Sequence, residues 1–282
     1  MNTTHPRFAC STVTLRTFGL AEALEKAAGL GFDVVDLGAL AGLCEHVPPK
    51  GDSAELRRAG AVVRSSGLSV SSVNADLGSF NGPADESRIV LNRIERLLEF
   101  CAENNSPRLV LTCGEPEQVS VPASEQLADV LNGLNEAAQL AEDFPVELVV
   151  EAPHYFRLTN TMERTRWLID RLSPAIGHAW DVSHVRAAGE DPATLFGEFR
   201  SRISIIHLRD AVPGDIRLPM GHGDIDFGAV FSAAAAHDYA GPFVLELETH
   251  NSPYETKEEE VQASLSYLRN ALQPRIDVES RR

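Results

Sequence analysis

Short apolar runs alternate with longer amphipathic stretches along the chain. Runs of about four to eight apolar or alternating residues are typical of strands, whereas an apolar stripe recurring roughly every three to four residues is typical of helices. The predicted strands are 8–15, 33–37, 68–73, 108–112, 146–151, 176–181, 203–208 and 243–247. The predicted helices are 20–30, 53–66, 85–104, 123–142, 161–172, 192–199, 227–237 and 257–272.

Strands that alternate with helices favour a parallel sheet, because a helix is the usual crossover between parallel strands. Eight strand–helix units in 282 residues predict an α/β fold, namely a (β/α)8 TIM barrel with a parallel eight-stranded barrel and outer helices. A doubly wound open sheet is the alternative, but no GxGxxG turn follows the first strand. No shift in composition marks a linker, so we expect a single domain over residues 1–274 and a flexible C-terminal tail over 275–282.

The net charge of the chain limits the classes of partner that it is expected to bind. The chain has 25 Lys and Arg against 41 Asp and Glu, a net charge of −16, whereas binding to nucleic acids or anionic membranes needs a basic surface. The first residues, MNTTHPRFAC, lack the pattern of a signal peptide. No apolar run approaches the roughly 20 residues of a membrane span. We therefore expect a cytoplasmic protein with a small-molecule substrate, either as a homo-oligomer or with a partner subunit.

Side chains that commonly bind metals stand at the ends of the last four predicted strands. These are Glu151, Asp181, His207 and Glu246. Each alone is often a helix cap or a structural residue, but barrel enzymes carry their chemistry at the C-terminal ends of strands, so we expect the four to converge. Three carboxylates would repel one another, and a divalent cation removes that repulsion. Mn²⁺ is the cation we expect, with Mg²⁺, Co²⁺ or Zn²⁺ as alternatives.

The second half of the chain resembles the xylose-isomerase-like TIM barrel superfamily, the group of sugar phosphate isomerases and epimerases. The resemblance rests on the order and spacing of five segments within residues 146–248: VELVVEAPH, HAWDVSHV, ISIIHLRDA, RLPMGHGDIDF and HDYAGPFVLELE. It implies that the four strand-end residues hold one divalent metal ion. It also implies that Glu151 and Glu246 are the catalytic acid/base pair.

The resemblance further implies substrate contacts around this metal. His184, three residues after the aspartate, and Arg217 match positions that contact the substrate in ketose epimerases of the group. The chain departs from them after Glu151, where APHYFR places His154 at a position of polar contact. Glu248 is also expected to touch the substrate, since inosose-dehydratase-like members have a similar Glu-x-Glu.

The predicted chemistry is proton transfer next to a carbonyl. A metal that chelates the carbonyl and a neighbouring hydroxyl acidifies the adjacent C–H bond, and a glutamate removes the proton to give a metal-stabilised enediolate. Return of the proton by a second glutamate on the opposite face gives an epimer, and its delivery to the adjacent carbon gives an isomer. We therefore expect a divalent-metal-dependent sugar isomerase or epimerase.

Three alternatives use the same scaffold. Loss of a β-hydroxyl or glycosyl group would make the protein a metal-dependent lyase or dehydratase of a keto-cyclitol or 3-keto-sugar. A non-catalytic sugar- or metal-binding subunit is an alternative of another class. DNA repair of the endonuclease IV type is disfavoured, because the third and fourth strands (LSVSSVNA and LVLTCGE) contain no histidine. The long segment 38–52 is expected to act as a lid.

Overall fold

The computed structural model describes residues 8–273, and the predicted tail at 275–282 lies outside them. Its strands are β1 (Phe8–Ser11), β2 (Val34–Leu40), β3 (Cys44–Glu45), β4 (Ser69–Asp76), β5 (Arg108–Thr112), β6 (Glu147–Glu151), β7 (Gly177–Asp181), β8 (Ile203–Leu208), β9 (Asp210–Val212), β10 (Asp215–Leu218) and β11 (Phe243–Leu245). Its α-helices are α1 (Leu20–Gly29), α2 (Ser53–Ser66), α3 (Ala84–Glu103), α4 (Ala123–Ala141), α5 (Met162–Ile169), α6 (Val182–Ala187), α7 (Pro192–Phe199), α8 (Phe227–Ala236) and α9 (Lys257–Ala271).

Eight of these strands close into a parallel barrel. They follow one another in the order β1, β2, β4, β5, β6, β7, β8 and β11, and β11 pairs with β1 to complete the ring. Strand β3 adds antiparallel to the end of β2, while β9 and β10 form a separate antiparallel pair. The predicted fold class is therefore confirmed. Within residues 8–273, no helix is both long and apolar enough to cross a membrane.

One apolar layer fills the barrel interior beneath the C-terminal strand ends. It consists of the fully buried residues Ala9, Val110, Val149, Ala179, Ile205 and Val244. Side chains two residues apart along a strand share a face, so the next inward residue lies one step nearer the C-terminal end. On four consecutive strands of the ring, that next residue is Glu151, Asp181, His207 or Glu246.

The helices cover the outside of the barrel through their apolar faces. Helix α2 shows how the sequence sets the ends of such a helix. Asp52 and Glu55 form a reciprocal capping box at its start, and Gly67 ends it in a left-handed conformation with φ of 73°, which glycine adopts without steric cost. Its buried side chains include Leu56 and Val63, which pack into the main core between barrel and helices.

The first and last barrel strands are shorter than predicted. The predicted strand 8–15 ends at Ser11, whose hydroxyl accepts a hydrogen bond from the Val13 amide and caps a 3₁₀ helix at Thr12–Leu15. The predicted strand 243–247 ends at Leu245, because the Leu247 amide donates to Thr14 Oγ1 at 2.8 Å instead of to a strand. This hydrogen bond therefore connects the segments that follow β1 and β11, the two strands that complete the ring.

The sequence did not predict three short pieces of regular structure. Strand β3 lies in the segment predicted to be a loop at 38–52, helix α6 follows Asp181 directly, and the β9–β10 pair follows β8. Each is shorter than the about eight residues over which a periodic pattern can be recognised. All three follow C-terminal strand ends, where they extend the barrel around the candidate site.

Close packing between α4 and the segment that precedes α3 gives a test of the fold. A Cβ added at Gly133 of α4 would overlap the buried Phe80 ring, whereas one added at Gly29 of α1 would meet no atom within 4 Å. We expect Gly133→Ala to lower the free energy of unfolding by about 1–3 kcal/mol through overpacking. The matched control Gly29→Ala should raise it by about 0.5–1 kcal/mol. Urea unfolding measures both, and equal stability of the two variants would contradict this packing.

Candidate functional site

Four buried side chains meet at the C-terminal end of the barrel. Ligand atoms of Glu151, Asp181, His207 and Glu246 all lie within 4.8 Å of one another. His207 Nδ1 lies 3.0 Å from Glu151 Oε1 and 3.4 Å from Glu246 Oε2, so the imidazole stands between two glutamates. The structure therefore brings together the four strand-end residues named from the sequence.

Hydrogen bonds hold two of the carboxylates in place. Asp181 caps helix α6, and its Oδ1 accepts from the amides of Ser183 at 2.7 Å and His184 at 3.1 Å. Glu246 Oε1 accepts from Asn74 Nδ2 at 3.1 Å, across the barrel. A fixed carboxylate can act as a ligand without a further loss of side-chain freedom.

Burial and the interactions between neighbouring charges shift the pKa values of this cluster. Burial raises the pKa of Glu151 to about 7, and Asp181 and Glu246 add to the rise while His207 opposes it. Burial alone would lower the pKa of His207, but Glu246 and Glu151 outweigh it and raise that pKa well above its usual value. The cluster thus carries more negative charge than its own side chains neutralise.

The chemistry of this donor set fits a divalent cation. Three carboxylates and one imidazole suit Mn²⁺ or Mg²⁺ and also bind Zn²⁺ or Co²⁺. Buried carboxylates are costly without a counter-charge, which a cation would supply. Glu151, Asp181, Glu246 and Nδ1 of His207 can hold a divalent metal ion here.

A cavity of about 390 Å³ opens above the cluster, within the roughly 300–1,000 Å³ of small-molecule sites. Glu151 and Glu246 belong to its lining, together with polar and apolar residues of the strand ends and of the segments that follow them. The remaining lining residues are Leu40, Ala41, Leu43, Asn74, Asp76, Thr112, Pro116, His154, Phe156, Arg157, His184, Arg209, Ile216 and Glu248. Three of them come from segment 38–52, whose function as a lid stays a prediction.

Two histidines form one wall of the cavity. The rings of His154 and His184 stack with centroids 4.1 Å apart, and His154 Nε2 lies 3.6 Å from Glu151 Oε2. His184 Nδ1 accepts from the Tyr155 amide at 2.9 Å. Burial lowers the pKa of both histidines well below the usual value. Both predicted contacts therefore lie at the cavity as neutral imidazoles.

A buried arginine that we did not select from the sequence completes the site. Arg209 Nη2 donates to Asp181 Oδ2 at 3.1 Å, and Nη1 lies 3.3 Å from Glu248 Oε2. Nη1 is buried and makes no hydrogen bond to the described residues. Arg209 follows His207 by two positions, so the period-two rule that located the histidine also places this guanidinium inside the barrel.

The structure separates the other two predicted substrate contacts. Glu248 lines the cavity next to Arg209. Arg217 lies on β10 with 47% of its side chain exposed and its Nε 3.4 Å from Asp215 Oδ1, and it is absent from the described lining. The structure thus places Arg209 and Arg157, rather than Arg217, at the cavity.

Asp36 on β2 is a further buried acid near the cluster. Its carboxylate accepts from Ser11 Oγ at 2.8 Å and Ser72 Oγ at 2.6 Å. Burial raises its pKa to about 6, against the attraction of His207. The sequence around it, DVVDL, predicts a short and mostly apolar strand and does not single out Asp36 as a functional residue. Alternation along that strand would have pointed Asp36 inward.

The fold and the site define a parallel barrel with a candidate metal centre at its C-terminal mouth. A family model described as the xylose isomerase-like TIM barrel matches residues 24–271. The chain belongs to this family, and the predicted resemblance is confirmed.

Similar proteins include a curated inosose dehydratase from Clostridium tetani, which is 25% identical over 151 residues. That match covers 47% of this chain and 50% of the relative, so the chain spans about half the length of the curated relatives it matches. The structure of 3-keto-D-glucoside 4-epimerase YcjR from E. coli has 18% identity and a TM-score of 0.75, covering 94% of this chain and 99% of that one. The structure of the IOLI protein with a bound zinc atom has 20% identity and a TM-score of 0.77, covering 94% and 97%. At these identities the two structures show a shared fold.

Metal binding at the cluster can be tested without any substrate. We expect Mn²⁺ or Zn²⁺ to raise the melting temperature of chelator-treated protein, because a ligand that binds only the folded state stabilises it. His207→Ala should weaken metal binding at least about tenfold, since even changes outside the ligand shell cost roughly that much. His237→Ala is the matched control, because His237 is exposed and lies directly after α8 on the outside of the barrel. Calorimetric titration that finds equal affinity in both variants would contradict the site.

Proposed function

We propose that the protein is a divalent-metal-dependent isomerase or epimerase of a sugar or keto-sugar. The observation that carries this proposal is the pair of buried glutamates, Glu151 and Glu246, on either side of His207 beneath a cavity of small-molecule size. Membership of the family and the likeness to a 3-keto-glucoside epimerase support it.

The two glutamates would carry the proton. A bound divalent cation would polarise the substrate carbonyl and stabilise the negative charge that develops beside it. One glutamate removes the proton from the adjacent carbon, and the other returns a proton from the opposite side. Because the reaction is reversible, each glutamate acts as the base in one direction. Asn74 holds Glu246 through Oε1, while Oε2 faces the cluster 3.4 Å from His207 Nδ1.

The walls of the cavity would orient the sugar. Neutral His154 and His184 can donate or accept hydrogen bonds with hydroxyl groups. Arg209 Nη1, which lies 3.3 Å from Glu248 Oε2 and makes no hydrogen bond to the described residues, can donate to a substrate oxygen beside Glu248. These four residues form the proposed binding wall. A contact from Arg217 would require its side chain to leave Asp215, and it stays a prediction.

The finer assignments belong to the same proposal. We infer Mn²⁺ as the native metal, with Mg²⁺, Co²⁺ and Zn²⁺ as alternatives. Zinc has support from its presence in the similar IOLI structure. A single domain over residues 1–274, a cytoplasmic location, and a homo-oligomer or partner subunit are also proposed. Sedimentation of the purified chain would decide its oligomeric state.

A metal-dependent dehydratase or lyase is the second candidate. The similarity to inosose dehydratase favours it, as does the placement of His154 only 3.6 Å from Glu151. In such a reaction Glu246 or Glu151 would take the proton, and an imidazole N–H would protonate the departing oxygen. An ultraviolet scan of the product separates the two candidates, because an enone absorbs and an epimer does not.

Conservative variants of the two glutamates test the mechanism. We expect Glu151→Gln and Glu246→Gln each to lower turnover by about 100-fold or more, since positioned acid/base groups contribute that much. The readout is deuterium exchange from solvent into ketoses and keto-cyclitols with metal added. Glu163→Gln, at an exposed position on α5, is the control and should keep full activity.

Two results would count against the proposal. Substantial exchange by both glutamine variants would remove them as the acid/base pair. Metal and sugar binding by the unaltered chain without any exchange would instead favour the non-catalytic subunit.

A further inference from the structure

The charges of the cavity wall disfavour the binding of a phosphorylated substrate. Two cationic side chains, Arg157 and Arg209, occur among the described lining residues. Arg157 pairs with both Asp76 and Glu115, and Arg209 lies between Asp181 and Glu248. Each guanidinium therefore already has two carboxylate partners. Phosphate sites usually offer unshared cations or helix N-termini.

Carboxylates outnumber these cations in the same lining. Asp76, Glu151, Glu246 and Glu248 all face the cavity. A divalent cation would offset the charges of Glu151 and Glu246, whereas Asp76 and Glu248 already offset those of Arg157 and Arg209, so the wall has no unshared positive charge for a phosphate group. The wall therefore suits hydroxyl groups, which can donate to the carboxylates and accept from Arg209.

Six apolar residues line the same cavity. Leu40, Ala41 and Leu43 come from the β2–β3 segment, Pro116 from the segment after β5, Phe156 from the segment after β6, and Ile216 from β10. Leu43 is 41% exposed and Phe156 is 48% exposed, which is unusual for large apolar side chains in the described part of the chain. Of the five large apolar side chains that are exposed in the described part of the chain, two therefore line this cavity.

Neighbouring rings hold Phe156 in position. Tyr155 contacts it edge to face at a centroid distance of 5.1 Å, and His154 lies at 6.4 Å. The ring is therefore packed against two neighbouring rings and still half exposed at the cavity. An aromatic ring fixed in this way can cover an apolar group with little loss of side-chain freedom.

We propose that the substrate is an uncharged keto-glycoside whose apolar substituent packs against Leu43 and Phe156 while its sugar ring reaches the glutamates. This inference rests on the proposed function and deepens it, since it names the group attached to the sugar. Water released from the two side chains and from the substituent would drive the contact. Free monosaccharides and sugar phosphates would lack this interaction.

A series of matched substrates tests the proposal. We would compare 3-keto-glucosides with a methyl, an octyl or a phenyl substituent, and the 6-phosphate of the methyl compound, following deuterium exchange with metal present. We expect kcat/KM for the phenyl or octyl compound to exceed that for the methyl compound by about tenfold, the effect of partial burial of one large apolar group. The 6-phosphate should be the poorest substrate.

Variants connect that preference to the rim. Phe156→Ala and Leu43→Ala should each reduce the ratio of phenyl to methyl kcat/KM several-fold. Ile89→Ala is the matched control, because Ile89 is 45% exposed on helix α3 and lies outside the described lining. The ratio should be unchanged in that variant.

The outcomes separate this inference from the proposed function. Equal kcat/KM for all substituents, or preference for the 6-phosphate, would overturn the inference while leaving the isomerase intact. If no sugar exchanged deuterium with solvent, the proposed function itself would be wrong. If Phe156→Ala changed the sedimentation coefficient but not the substrate ratio, the rim would be a contact between two copies of the chain, and the inference would be wrong.

Discussion

Burial of like charges at the C-terminal end of the barrel is the constraint on which the site depends. Glu151, Asp181 and Glu246 are almost fully withdrawn from water and lie within reach of one another. His207, whose pKa is raised well above its usual value, carries its proton close to Glu151 and Glu246, and Arg209 pairs with Asp181. Metal ligands must be deprotonated, so His207 would release that proton on binding a cation.

Period-two alternation explains why much of the site could be predicted from the sequence. It directs Glu151, Asp181, His207 and Glu246 inward, and the parallel barrel brings their strand ends to one rim. The alternation also applies to Asp36, Asn74 and Arg209, but it does not reveal how deep a side chain lies or which polar group faces it. Those facts depend on pairing between distant strands, as in the bond between Asn74 and Glu246.

The strand ends and the rim depend on contacts that no local pattern contains. Thr14 stops the last strand through a residue 233 positions later in the chain. Arg217 turns towards Asp215 because both lie on the short strand β10 outside the barrel, whereas the resemblance suggested a substrate contact from its position alone. Similarity of sequence order therefore identified the arginine-bearing region but not the arginine that reaches the cavity.

The placement of the two glutamates bears on the choice between epimerisation and elimination. Elimination needs one base at the carbon and an acid at the departing oxygen, so two equivalent carboxylates are unnecessary for it. Epimerisation needs two groups that reach one carbon from opposite sides. Glu151 and Glu246 both lie close to the same nitrogen of His207, at 3.0 and 3.4 Å, and both line the cavity. This near-equivalence favours a two-base reaction. The adjacent His154 is the feature that an elimination would use.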